Sequence, residues 1–94
     1  MEQSNLIFHA CIVREAEGFS ALCLDVDVAS DGDTVSQAKE NLREAVSLYV
    51  ETAIESNLPI IRPVPSSEHP MLTRNDEIVE HFKISVSVSV DAHV

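Results

Sequence analysis

Glycine is nearly missing from this chain: Gly18 and Gly32 are the only two in 94 residues. A phosphate-cradling loop needs several glycines to bring backbone N–H groups onto the anion, so no such loop can be built here. Lysine and arginine are also scarce, six against sixteen aspartates and glutamates, for a net charge of −10. That surface repels a nucleic-acid backbone and draws a basic protein. The same charge also serves plain solubility. Cysteine stops at Cys11 and Cys23, both inside strand-like runs. With no secretory signal ahead of them, they are expected to be buried thiols rather than a disulfide. Long hydrophobic runs are missing too. Residues 6–13 are interrupted by His9, and Met1-Glu2-Gln3-Ser4-Asn5 lacks the basic start of a signal peptide. Neither a membrane span nor a leader is therefore expected, and the location expected is cytoplasmic. His9, His69, His81 and His93 show no ligand spacing such as i, i+4, and no Cys–His or Ser–His pairing nominates a nucleophile. No cofactor and no metal are expected.

What the chain does have is a helix. Asp31-Gly32-Asp33 is turn chemistry, and Thr34 with Gln37 three residues on has the spacing of a capping box. Beyond it Val35, Ala38, Leu42, Ala45, Val46, Tyr49, Ala53 and Ile54 recur at three- and four-residue intervals, as one apolar stripe. Lys39, Glu40, Arg43, Glu44, Ser47 and Glu51 fall mostly off it, a solvated face with its own salt bridges. Ser56-Asn57-Leu58-Pro59 ends the helix, since a residue before proline disfavours helical backbone.

Before the helix, residues 6–13 and 19–28 read as two strands joined by a hairpin at Glu15-Ala16-Glu17-Gly18. In the second, Leu22, Leu24, Val26 and Val28 share one face, and Phe19, Ala21, Cys23, Asp25 and Asp27 the other. Placing Cys11 opposite Cys23 puts Ile7, His9, Cys11 and Val13 on that second face as well. After the helix, prolines at 59, 63, 65 and 70 make residues 58–73 an extended connection. Residues 76–81 fit either a turn or the start of a strand. Phe82, Ile84, Val86, Val88 and Val90 then alternate with Lys83, Ser85, Ser87, Ser89 and Asp91, a half-buried strand over about 82–91. No repeat and no second domain are visible. The expectation is one α+β domain over 1–94: a β-β-α-β order, with an antiparallel sheet and one long helix on one face. One helix covers one face, yet the hairpin is apolar on both. Val13, Phe19, Ala21 and Cys23 would be left over, so either the proline-rich connection shields the hairpin or the chain self-associates, the second being favoured for so short a domain.

Two groups of side chains carry the binding expectations. Asp25, Asp27, Asp31 and Asp33 place four carboxylates within nine residues. A divalent-metal site is one reading, but the spacing fails the EF-hand pattern, and turn and cap account for Asp31 and Asp33. An acidic rim for a basic partner is a second, and solvated turn chemistry a third. The Ser85, Ser87, Ser89 row is either an ordinary solvent face or a smooth surface that another sheet can approach, since exposed strands usually carry more charge as protection. Phe19 and Ala21 join that row as the expected oligomer interface.

Certain runs resemble a known family. Gly18-Phe19, Ala21-Leu22-Cys23 and Val28-Ala29-Ser30-Asp31-Gly32-Asp33-Thr34 are similar to the HicB-type antitoxin domain. There a Gly-aromatic strand leads to Ser-Gln-Gly-Asp-Thr and the helix. Ala38, Asn41, Leu42, Glu44, Ala45, Tyr49 and Glu51 match its helix, and Leu58-Pro59 with Pro63 and Pro65 its next segment. The likeness covers residues 6–65. Leu24 stands where a proline is usual, Asp27 where a glycine is usual, and Asp31 where glutamine is common. The resemblance implies a fold related in outline to part of a ribonuclease-H sheet, without its catalysis. It also implies a role in silencing a small basic HicA-type toxin that cleaves RNA. Members often add a DNA-binding helix-turn-helix or ribbon-helix-helix. Only Asp91-Ala92-His93-Val94 follow Val90, so operator binding is not expected.

The expected function is thus a non-enzymatic, homo-oligomeric antitoxin-like domain, with Asp25, Asp27 and Asp31 steering the partner. The alternatives are a toxin-free homo-oligomeric adaptor of the same fold and, more remotely, a metal-dependent nuclease.

Overall fold

The structure, a computed structural model, describes residues 2–60 and 75–90, with side chains described over 5–60 and 75–87. The order is β1 (Glu2–Glu15), β2 (Gly18–Cys23), β3 (Ala29–Gly32), α1 (Val35–Glu55) and β4 (Ile78–Val90), with a short 3-10 turn at Asn75–Glu77 ahead of β4. The strands form one antiparallel sheet in the order β3-β2-β1-β4, with a single helix packed on it. This is the expected α+β arrangement with one added strand. The residues between 76 and 81 resolve into both alternatives, turn and then strand. The proline-rich connection falls almost wholly outside the described residues, as does the end of the closing strand at Asp91.

The helix follows its sequence signals closely. Thr34 has extended backbone, and its hydroxyl accepts from the Gln37 N–H at 3.0 Å. The Gln37 side chain reciprocates one residue further out, accepting from the Asp33 N–H at 2.7 Å. Ala38, Leu42, Val46, Val50 and Ala53 are the buried line, spaced four, four, four and three. Val50 therefore belongs to the stripe, while Ile54 stands 46% exposed outside it. The helix ends in a Schellman motif: Asn57 takes a left-handed φ of 55°, Leu58 N–H donates to Ala53 O at 2.8 Å and Asn57 N–H to Ile54 O at 3.2 Å. Asn57 thus stops the helix two residues before Pro59.

The hairpin differs from its sequence reading in a way that moves side chains. Ala16-Glu17 is the whole turn, and Gly18, at φ +135°, already belongs to β2. Ala10 therefore faces Cys23, and Cys11 faces Leu22. One residue of register exchanges the two faces of a strand. Phe19, Ala21 and Cys23 accordingly turn towards α1 rather than away. They join Phe8, Ala10, Ile12, Ile84 and Val86 in a core under the helix, with Ala21 fully buried and Phe19 half-buried against it. Ala21 has no surface to offer a second copy, which corrects its place in the expected interface. The apolar excess of the hairpin is largely core.

The expected single strand over 19–28 is broken. The Cys23 N–H donates to Val28 O at 2.9 Å, and the Val28 N–H to Val26 O at 2.7 Å, closing a tight loop over residues 24–27. The loop lets Val26 drop into the core at 0% exposure, and β3 then returns along β2. Asp31 and Gly32, read as a turn, are thus strand residues at the sheet edge. Asn41 Nδ2 donates to Asp31 O at 2.8 Å and ties that edge to α1.

The longest element is the β1–β4 ribbon, which pairs Glu2 with Val90 at one end and Val13 with Ile78 at the other. A bulge beside Ile12 and Val13 leaves Val79 without a register partner and 42% exposed. On the helix side of β4, Lys39 forms an ion pair with Glu80 and lies 5.2 Å from the centre of the Phe82 ring. On the reverse side Ile7 is 51% exposed, Ser85 and Ser87 are exposed, and Cys11 and Val13 are buried.

Candidate functional site: an acidic cleft at the hairpin end

Hairpin geometry gathers acids that lie far apart in sequence. Opposite the turn, Phe19 pairs with Gly32 and Ser20 with Asp31, so the β3-to-α1 corner is brought alongside Glu15 and Glu17. Together Glu15, Ala16, Glu17, Phe19, Ser20, Asp31, Gly32 and Asp33 line an open cleft of about 440 Å³. All four carboxylates are exposed. The Ser20 hydroxyl donates to Glu15 Oε1 at 2.8 Å and fixes that side chain on the wall. Phe19 supplies the apolar part, with the Arg14 guanidinium 5.5 Å from its ring centre.

Of the expected acidic residues, only Asp31 belongs to this cleft. Asp25 and Asp27 sit in the loop after β2, at the opposite end of that strand, so the three are not one rim. Asp27 is exposed. Asp25 is occupied: its Oδ2 accepts from the His9 N–H at 2.6 Å and lies 3.0 Å from His9 Nδ1. The carboxylate caps β1 where β2 leaves it, the last backbone link being Leu24 N–H to His9 O at 2.8 Å. Glu15 and Glu17, read only as hairpin residues, are the cleft members that the sequence pattern passed over. Their signal was an acid at the end of β1 and another in the turn that follows, legible only once β3 is known to return beside it.

Among the described residues, no three His, Cys, Asp or Glu side chains come close enough to share a metal ion. The four cleft carboxylates are spread along walls rather than aimed at one point. What such walls do is electrostatic: each exposed ion pair contributes about 0.2–1 kcal/mol, so charge steers a partner and the apolar contact at Phe19 retains it. The remaining expected interface residues lie on the reverse face. Ser85 stands opposite Ile7, and the Ser87 hydroxyl donates to Asn5 Oδ1 at 2.8 Å. The Ser89 side chain lies outside the described residues. Cys11 and Cys23 are buried and not disulfide-bonded. Burial foremost, with the nearby Asp25 charge, pushes the Cys23 thiol up, against the opposing effect of the Val26, Asp25 and Leu24 backbone hydrogen bonds.

Comparison with known proteins returned no matching family model, no matching curated relative and no matching solved structure. No helix among the described residues is long and apolar enough to cross a membrane.

Proposed function

We propose that this chain is a non-enzymatic protein-binding domain of the HicB antitoxin kind, which captures a small basic ribonuclease and covers its active site. The observation that carries the reading is the acidic cleft of Glu15, Glu17, Asp31 and Asp33 beside the half-buried Phe19. A basic ribonuclease must present cations to its RNA, and this cleft offers carboxylates in the place of phosphates. A chain at −10 adds an attraction that salt screens beyond about 10 Å at 0.1 M. The place of action is the cytoplasm, where thiols stay reduced.

The experiment is capture from native lysate at low and high salt, followed by an activity assay on what is captured. The reading expects a small basic protein at one-to-one ratio, loosened by salt, whose RNA cleavage stops when the chain is added back in equal amount. Glu17→Gln with Asp31→Asn and Asp33→Asn should weaken capture about tenfold or more. Retention of the chain's own copies alone would remove this reading.

That outcome would favour a second one, a homo-oligomeric adaptor. Its support is the reverse face, where half-exposed Ile7 stands among Asn5, Ser85 and Ser87, with no carboxylate at the paired and neighbouring strand positions among the described residues. Two copies of so acidic a chain meet most easily through a neutral surface.

A further inference from the structure

On the reverse face, sheet register assembles a cluster that sequence spacing does not reveal. His9 stands directly opposite Lys83, and His81 stands opposite Cys11, one step along the same face. Three nitrogen-bearing side chains thus occupy three corners of a cross-strand rectangle, with about 5 Å between strands and about 7 Å along them. Buried Cys11 is the fourth corner. A hollow of about 220 Å³ is lined by His9, His81, Lys83 and Leu24, with Ala10 and Phe82, the strand neighbours of the histidines, also reaching it.

Charge accounting singles this place out. Of the cations among the described residues, Lys39 is paired with Glu80, Arg43 with Glu40, and Arg14 lies over the Phe19 ring. Lys83 is exposed and has neither a carboxylate nor a ring partner among the described residues. Among the described residues, Lys83 is thus the cation whose charge stands open to a ligand, and it does so beside two histidines. Asp25 is not its counter-ion. Its Oδ2 accepts from the His9 N–H and lies 3.0 Å from Nδ1, so the neutral ring carries its proton on Nδ1 and presents Nε2 outward as an acceptor. The chain's net charge does not forbid an anion here, because screening confines distant carboxylates to about 10 Å at 0.1 M salt.

We propose that His9, His81 and Lys83 form a binding site for a phosphate group. His81 and Lys83 donate to the anion's oxygens, Lys83 with the permanent charge, and His9 Nε2 accepts from a phosphate O–H. Leu24 gives the site one apolar wall, so the carrier of the phosphate contacts aliphatic surface on that side. The site lies on the reverse face, away from the hairpin-end cleft, and does not depend on that cleft's partner.

Titration of the labelled protein with inorganic phosphate, followed through its imidazole and backbone resonances, tests this. A saturable response is expected at His9, His81 and Lys83, with a midpoint in the millimolar range usual for a small exposed site. Lys83→Gln and His81→Gln should each raise that midpoint about tenfold, the worth of one charge-assisted hydrogen bond. Arg43→Gln, which removes an equally exposed but already paired cation, should leave it unchanged. Acetate should bind several-fold more weakly than phosphate. Shifts that rise linearly without saturating, that persist in Lys83→Gln, or that acetate reproduces at equal concentration would each overturn the proposal. All three positions are exposed, so the variants keep the fold, and unchanged core amide shifts verify it.

Discussion

Gly18 and Gly32 lie against each other across the β2–β3 edge: a Cβ on Gly18 would come 2.7 Å from the Gly32 carbonyl oxygen. Gly32 is pressed from its other side as well, where a Cβ would meet the Ala38 backbone nitrogen at 2.5 Å. The obstructing atoms are main chain, which cannot rotate aside. Gly32→Ala should therefore cost about 1–3 kcal/mol, the range of overpacked cores, with a lowered urea midpoint at unchanged slope. Gly18→Ala adds a positive φ to its clash and should cost at least as much. A midpoint within experimental error of the parent for Gly32→Ala would mean that β3 does not sit under the first turn of α1.

The cap at Thr34 makes a smaller demand. Its hydroxyl serves one N–H at the helix start, and Gln37 returns the favour to Asp33. Thr34→Ala should destabilise by about 1 kcal/mol, and Thr34→Ser by less, since the oxygen stays. Thermal unfolding of the two variants side by side gives the ordering.

Asp25 does more for its loop than for the global fold. Removing the carboxylate in Asp25→Ala strips the His9 N–H of its acceptor and leaves the half-exposed loop without its anchor on β1. About 1 kcal/mol of stability is at stake. The local effect is larger: the His9 amide should exchange with solvent much faster, while amides of Leu42 and Val46 in α1 keep their protection. Uniform loss of protection along the chain would show instead that the loop is part of the cooperative core.

Cys23 links stability to alkaline pH. Its folded thiol holds its proton beyond the ordinary value of 9.0, so above that pH the unfolded chain is the first to give the proton up. The native state then carries more protons than the unfolded one, and stability falls as pH rises. Below that value both states are protonated and the effect vanishes. Urea midpoints taken between about pH 7 and pH 10 should decline more steeply for the parent than for Cys23→Ala, although the variant starts lower for want of its sulfur.

The helix and the two strands of the β1–β4 ribbon were legible because each rests on a local pattern. Thr34 and Gln37 mark the cap, Ala38 to Ala53 mark the stripe, and Phe82 to Val86 alternate cleanly. The break after Cys23 was not legible. Leu22, Leu24, Val26 and Val28 keep a perfect alternation through it, and only the tertiary demand for Val26 in the core bends the chain. The one-residue register error had a similar source: a two-residue turn at Ala16-Glu17 and a four-residue connection look alike in sequence, yet they send Phe19 and Ala21 to opposite faces. The acidic site suffered from both. Asp25, Asp27 and Asp31 are close in sequence, but the loop and β3 carry Asp31 to the far end of β2. Glu15 and Glu17, fourteen or more positions earlier, arrive beside it through the hairpin.

The β1–β4 ladder also demands the longest chain closure in the described fold. Its end pair, Glu2 with Val90, closes nearly the whole chain into a loop, whereas α1 and the two hairpins close short ones. Local units form in microseconds, while a pairing of such sequence separation waits on a slow chain-closure search. Until β4 docks, β1 presents Phe8 and Ile12 beneath an unfinished sheet, along a bare strand edge that any extended segment can pair with. A strand made late therefore decides the fate of one made early, and the β1 edge stays open to wrong strand partners until residues 78–90 have been made and paired.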